Sequence, residues 1–348
     1  MKKPLAIFIT DTHYTNNNVD EVNNVLVQCL QLALQLKVKK IFHGGDIFTL
    51  RTGQSLTVLL AFHNFLSLLS EYDIEMYAIG GNHDKTDLDS EDSYLDVFSN
   101  YPNFRVIRDG QIIKLGAFSL SLLPYFKERG TFPERLKNLS AKALKMPANK
   151  KYLLTHISVN GVMNNDGSKV EDGINTGVFD TWDKVFVGHY HNTSKVGDNI
   201  YYIGSSHPQR YGENSDKGFT VLYDDGEHEL VKADFKKYIK VSIDVEKMTK
   251  IQIEKFRMKY SNNKHNIRFV FKGTEEKLKS VNEKLFTDVG IGIRKESDNI
   301  LKSMTAAEND EFLSFNKASL MKEFVQYCKV NKVIVSDMSL GLKYMKQI

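Results

Sequence analysis

The chain is 348 residues long, 41% hydrophobic and 26% charged, which excludes a disordered or fibrous protein and leaves room for one large domain with a smaller companion. No apolar run reaches the roughly eighteen residues of a membrane span, so no membrane association is expected, and the run at 4–10 is too short for a signal peptide. The formal charge of +4 is unevenly placed: from Lys236 onward there are 23 Lys and Arg against 14 Asp and Glu, and the part before is net acidic. Scattered carboxylates suit cation binding, and a basic end suits a polyanion, although a solvated helix face reads the basic end equally well. Cys29 and Cys328 are the only cysteines and sit in apolar helical patterns, so a disulfide framework is not expected and a reducing cytoplasm is.

In chain order, residues 5–10 read as a strand with Asp11-Thr12-His13 just past its end. Apolar residues at Val22, Val25, Leu26, Cys29, Ala33 and Leu36 predict a helix over 20–37. A strand at 39–43 ends in Gly44-Gly45-Asp46, and a strongly apolar helix follows over 55–72. The third strand, 74–79, runs into Gly80-Gly81-Asn82-His83-Asp84, where two glycines permit a sharp turn and close approach to a ligand. A short helix capped by Ser90 is expected over 90–99. This β-α-β-α-β alternation implies parallel strands joined by crossover helices, with ligands beyond the carboxyl ends of the strands.

The pattern then changes. Strands at 104–107, 111–115 and 118–123 are joined by Asp109-Gly110 and Gly116, so hairpins are expected. A helix over 132–146 leads to a strand at 152–155 that ends at His156. Residues 160–177 are rich in Asn, Asp and Gly and read as a mobile loop. A strand at 185–187 ends in Gly188-His189-Tyr190-His191, and further strands are expected at 200–203, 219–223 and 229–232. The second half resembles the first in layout, so the expected architecture is α/β, two mixed sheets packed face to face and flanked by helices. A boundary falls at 234–240, giving a domain at 1–235, a small α/β domain at 236–298, and a linker with an amphipathic helix at 299–348. Within the small domain, strands are expected at 238–243, 266–271 and 292–295 and helices at 249–260 and 275–286. The terminal helix, 312–330, carries Phe315, Leu320, Phe324 and Tyr327 on one face, fit for a partner's groove.

The strand-end residues Asp11, His13, Asp46, Asn82, His83, His156, His189 and His191 each follow an apolar run. Any one of them has a bland explanation as a turn residue. Together they are the donor mixture that suits a divalent metal such as Mn²⁺, Fe²⁺ or Zn²⁺. Asp-x-His, Gly-Asp, Gly-Asn-His-Asp, a lone His and Gly-His-x-His, in that order over 11–191, resemble the motif set of the calcineurin-like metallophosphoesterases. The resemblance implies one ion held by Asp11, His13, Asp46 and His191, and a second held by Asp46, Asn82, His156 and His189. It places His83 near the leaving group, with Asp84 holding it in position.

Within that superfamily the chain looks like the SbcD-type nucleases, subunits of a double-strand-break repair nuclease–ATPase complex. Gly45-Asp46-Ile47-Phe48 before a Ser55-led helix carries this likeness, as does Gly204-Ser205-Ser206-His207-Pro208-Gln209-Arg210 with Gly212-Glu213 and Lys217-Gly218-Phe219. It is strong to about Tyr223 and only a matter of layout beyond. Thr49 departs from it, where many relatives carry Asp, and the short tail is more like the recombination nucleases of large phages. The resemblance implies a DNA nuclease, exonuclease on duplex and endonuclease on single strands, acting in recombination and repair in a bacterial or phage-infected cytoplasm. It implies two divalent ions, manganese first and magnesium as the alternative. It implies an SbcC-like coiled-coil ATPase docked by the terminal helix, and a homodimer through the helix at 55–72. Arg210, His207 and the loop at 160–177 are the expected DNA contacts. The competing reading is a phosphodiesterase or phosphatase for small molecules, which needs the same ions but neither a basic end nor a docking helix.

Overall fold

Strand β1 (Pro4–Ile9) shows why the chain stacks two sheets: Ile7 and Ile9 enter one core and Ala6 and Phe8 another, because successive side chains leave a strand on opposite faces. The computed structural model describes residues 2–164, 168–297, 325 and 328. The expected linker and terminal helix lie almost wholly outside the described residues. Among the described residues no helix is long and apolar enough to cross a membrane.

Helices α1 (Val19–Leu36) and α2 (Leu56–Glu71) are the crossovers between β1, β2 (Lys40–His43) and β3 (Glu75–Ile79). They pack on the outer face of a six-stranded sheet in the order β12-β11-β1-β2-β3-β4, where β4 is Phe104–Ile107, β11 Gly218–Tyr223 and β12 His228–Lys232. Strands β1 to β4 are parallel, and β11 closes antiparallel on β1. The Ser55 hydroxyl caps α2, accepting from Val58 N. Val58, Phe62, Phe65, Leu66 and Leu69 are buried on this helix, while Leu56 stays 70% exposed.

The second sheet runs β5-β6-β7-β8-β10-β9, with β5 (Gln111–Leu115), β6 (Phe118–Leu123), β7 (Lys150–His156), β8 (Lys184–Gly188), β9 (Ser194–Val196) and β10 (Ile200–Tyr202). Its core strands β6, β7, β8 and β10 are parallel, and helix α3 (Phe132–Leu144) covers its outer face. Between the sheets lies a core of Phe8, Phe42, Ile79, Leu120, Leu154 and Phe186, with the Phe8 and Phe186 rings 4.7 Å apart. The fold is therefore α/β, two mixed sheets flanked by helices.

Three expectations need correction. β4 forms no hairpin with β5: it pairs parallel with β3, and Asp109-Gly110 carries the chain across to the other sheet. The helix expected at 90–99 is a single 3-10 turn, Tyr94–Phe98, capped by Ser93 in a box with Asp96. The helix expected at 275–286 is two short pieces, α5 (Glu275–Lys279) and α6 (Lys284–Thr287). There Ser280 Oγ bonds back to Lys277 O and Asn282 Oδ1 accepts from Lys284 N, so side chains compete with the helical ladder.

The described residues divide into two compact units, one made of residues up to 240 with 262–268, the other of 241–261 with those from 269 to 297. Strands β13 (Tyr238–Asp244), β14 (Asn266–Gly273) and β15 (Ile291–Ser297) form a three-stranded sheet; in the second unit Ile243 is buried and the Phe269, Phe271 and Phe286 rings pack together. Helix α4 (Lys250–Tyr260) of that unit has no fully buried residue.

Candidate metal centre

The carboxyl ends of β1, β2, β3, β7 and β8 meet along one edge of the two sheets. Asp11 and His13 follow β1, Asp46 follows β2, Asn82 and His83 follow β3, His156 ends β7, and His189 and His191 follow β8. Four of these residues hold the left-handed backbone that L residues avoid: Asp11 (φ 53°), His13 (φ 49°), Asp46 (φ 56°) and His189 (φ 94°). Each such residue costs on the order of 1–3 kcal/mol and persists only where its surroundings over-determine it. Here the loops brace each other: Asp11 N donates to Gly45 O at 3.0 Å, and His13 N to Asp46 O at 3.0 Å. Gly81 is required by contact, since a Cβ there would lie 2.1 Å from Asp46 Oδ1.

Ligand atoms converge in two groups, Asp11 with His13 and His191, and Asp46 with His156 and His189, each group spanning no more than 4.8 Å. Asp46 links them, its Oδ2 lying 3.3 Å from His156 Nε2 and 3.6 Å from His13 Nε2. Asn82 Oδ1 faces the second group, 3.1 Å from His156 Nε2 and 3.0 Å from His189 Nδ1. His156 Nδ1 sits 2.8 Å from Gly44 O, which can only accept, so Nδ1 carries a proton and Nε2 is the nitrogen turned to the group, its lone pair available once it gives up its own proton. By the same logic His191 donates from Nδ1 to Glu213 Oε1 at 2.9 Å and turns Nε2 inward, 3.2 Å from His13 Nε2.

Burial opposes charge on Asp46 and Asp11, yet the imidazoles around them, His156 foremost for Asp46 and His13 for Asp11, hold both well below the usual carboxylate range. Among the described residues neither pairs with a lysine or arginine. Two buried carboxylates with no fixed cation, ringed by imidazole lone pairs and an amide oxygen, fit a pair of divalent cations. Burial alone would depress His156, but Asp46, then Asp11 and the Gly44 carbonyl, outweigh it and push it to about 9. His189, with burial and His156 both working against its charge, falls to about 4.

His83 stands beside the ion ligands with its Nδ1 2.6 Å from the Thr49 carbonyl and its backbone N–H donating to Asp46 Oδ1 at 2.8 Å. Asp84 does not hold the His83 ring, contrary to expectation. Its carboxylate accepts from Gly81 N and Phe48 N, both at 2.9 Å, and from Ile47 N at 3.3 Å, tying the loop after β3 to the loop after β2. The orienting group for His83 is a backbone carbonyl, that of Thr49.

Arg210 is exposed, 61% on its side chain, and faces a cleft of about 640 Å³ whose floor includes His13, Asp46, His83, His189 and His191. His207 does not suit the role of DNA contact: it is 1% exposed, bonds Ser206 Oγ at 3.1 Å and Gln209 Nε2 at 3.3 Å, and burial lowers it to about 3. Glu213 and Lys217, quoted in the sequence only for a resemblance, were given no role there. Both side chains are buried, with Lys217 Nζ 3.0 Å from Glu213 Oε2. Burial opposes the Glu213 charge, but His191 and Lys217 hold it down to about 2. Gln209, likewise quoted without a role, donates from its amide to Asp11 O at 3.2 Å. The only signal was their place in the segment after the last histidine motif.

The fold and this edge-on cluster of Asp, Asn and His define a metal-dependent phosphoesterase. The chain belongs to the calcineurin-like phosphoesterase family, whose profile matches residues 6–193. It is 27% identical over 290 residues to a protein of invertebrate iridescent virus 6 named "Putative phosphoesterase 244L", covering 79% of this chain and 95% of that one. Among solved structures it is similar to a dimetal phosphatase from Danio rerio, at 12% identity and TM-score 0.44 over 64% of this chain and 93% of the other. It is also similar to the calcineurin-like phosphoesterase YfkN from Bacillus subtilis, at 12% identity and TM-score 0.40 over 67% and 89%.

Proposed function

We propose that this metallophosphoesterase is a DNA nuclease of the SbcD type, cutting phosphodiester bonds with a pair of divalent ions, manganese first among them. The observation that carries the reading is the composition of the cleft beside the ion ligands. Its wall includes Arg210, Lys236, Tyr238 and Asn266, two cations, an aromatic ring and an amide. Cations track successive phosphates, a ring takes a base or sugar face, and an amide reaches a base edge. A small phosphoester needs none of these beyond the ions. Tyr238 is steadied by Tyr211, edge-on at 5.0 Å, which itself lies 4.0 Å beneath the Arg268 guanidinium.

Asp11, His13, Asp46 and His191 would hold one ion, and Asp46, Asn82, His156 and His189 the other. When bound, two divalent ions would polarise the phosphoryl oxygens and lower the pKa of a bound water. The remaining work belongs to the side chains. Thr49 O pins His83 Nδ1 as a donor, so Nε2 is the nitrogen left for the substrate, and it is the imidazolium form that gives the Nε2 proton to the departing sugar oxygen. Arg210 and Lys236 grip neighbouring phosphates without reading sequence, so binding weakens steeply with salt. In the cell the enzyme works in the cytoplasm with an SbcC-like ATPase, docked by the segment at 312–330. It pairs with a second copy through the exposed apolar residues of α2, Leu56 and Leu60.

The test compares cleavage of duplex and single-stranded DNA with hydrolysis of a small phosphodiester, all in Mn²⁺. Degradation of DNA with salt-sensitive KM supports the reading. Brisk turnover of the small ester with intact DNA at every salt concentration removes it in favour of a small-molecule phosphodiesterase.

A further inference from the structure

The two groups of ion ligands are built alike at first glance, but the atoms behind them differ. In the group formed by Asp46, His156 and His189, the His156 ring backs onto a neutral acceptor, Gly44 O at 2.8 Å. In the group formed by Asp11, His13 and His191, the His191 ring backs onto the Glu213 carboxylate at 2.9 Å. That carboxylate is tied in turn: its other oxygen lies 3.0 Å from Lys217 Nζ and accepts from Gln209 N at 3.2 Å, with Arg210 Nε 3.7 Å from the first. Lys217 also donates to the His191 carbonyl and, at 3.4 Å, to Asn192 Oδ1. One buried acid–base pair therefore holds His191 at both its ring and its backbone.

Stability alone is a poor reason for this arrangement. A buried ion pair often contributes no more than apolar side chains of the same size, because both charges must leave water. A carboxylate behind an imidazole has a specific consequence, since it fixes the tautomer, orients the ring and raises the basicity of the nitrogen that faces the ion. We propose that Glu213, clamped by Lys217, is a positioning residue that makes the two ion sites unequal, strengthening the one that contains His191. The inference rests on the two-ion centre and not on the choice of substrate.

The experiment titrates the full, ion-free chain with Mn²⁺ by calorimetry, alongside the proton spectrum of the histidine ring N–H groups. The wild type should take up two ions with distinct affinities and show one strongly downfield N–H signal from His191. Glu213→Gln keeps an acceptor for that N–H but removes its charge, as Gly44 does for His156. It should weaken one ion by roughly 10–100-fold, leave the other in place and move the downfield signal upfield. Because Glu213→Gln strands the Lys217 charge, the double variant Glu213→Gln/Lys217→Met guards against simple misfolding. It should fold and show two affinities drawn together. Equal loss of both ions in the two variants, or unchanged affinities, overturns the proposal by leaving Glu213 a purely structural residue. A wild type that binds no Mn²⁺ overturns it together with the two-ion centre. A wild type that binds two ions and cleaves no DNA removes only the nuclease reading, and the Glu213 result then still decides this one.

Discussion

The two sheets supply unlike halves of one centre. The first sheet brings Asp11, His13, Asp46 and Asn82, both of the carboxylates and the amide, on loops with three left-handed residues. The second brings His156, His189 and His191, imidazoles only. Neither half is a site by itself. The first would be an anionic pocket with no cation, and the second a row of neutral rings. Each ligand group draws from both sheets: Asp11 and His13 meet His191, and Asp46 meets His156 and His189. Ions held by these groups would draw their ligands from the same two sheets that Phe8 and Phe186 join from inside, so the site depends on a packing that the inter-sheet core enforces.

The comparison breaks most completely at Asp46, among the described residues the one carboxylate within 4 Å of imidazoles from both groups. Asp46→Ala should lose both ions by elemental analysis and drop hydrolysis to background. Retention of two ions would mean that the groups do not share it. Next in size is His83→Ala, which removes a proton donor but no ligand. Activity should fall by about 10²–10⁴-fold with both ions still bound. An equal fall in ion content would move His83 from proton transfer to ion binding.

That division of labour is partly legible in the sequence. Polar residues after apolar runs mark strand ends, and parallel strands bring those ends to one edge, so the gathering of these residues there was legible from the pattern. The alternation of strands and helices likewise carried the first sheet. Direction and burial were not legible. Asp84 neighbours His83 in the chain, yet its carboxylate turns to the backbone of Gly81 and Phe48, because a tight turn aims adjacent side chains apart. His207 sits in a polar segment that gives no sign of its burial. Glu213 and Lys217 lie in an irregular stretch with no periodicity to reveal which face they occupy. Asp109-Gly110 serves a hairpin and a sheet crossing equally well, so the fourth strand went to the wrong partner.

Removing the ions sharpens the comparison in free energy. Each ion held at a hundred times its Kd stabilises the folded chain by about 2.7 kcal/mol, so a chelator should lower Tm by several degrees. The pH dependence carries a definite sign. In the ion-free chain His156 titrates near 9, against about 6.5 when unfolded. Its pairing with Asp46 is fully present below about pH 6.5 and fades as pH rises toward 9, so ion-free stability should decline across that window. Ion binding must displace the same proton, so ion affinity should rise over that window. The gap in Tm between loaded and stripped protein should therefore widen from pH 6.5 to 9. A constant gap would show that His156 does not exchange its proton for an ion.

The smallest effect separates a ligand loop from its brace. Asp84 touches no imidazole and accepts three backbone N–H groups from the loops after β2 and β3. In Asp84→Asn the amide nitrogen turns a donor toward at least one of those donors and leaves it unsatisfied. The cost of one buried unpaired N–H is about 1–3 kcal/mol, to be read from urea unfolding of the ion-free chain. Because the brace spans two loops of the first sheet only, Asn82 and Asp46 should shift together while the second sheet keeps His156 and His189 in place. Ion affinity should then fall modestly, and the pH profile of hydrolysis should keep its shape. A changed profile with unchanged stability would return Asp84 to the role of His83's partner, and would mean that the first sheet tunes the acid as well as holding the ions.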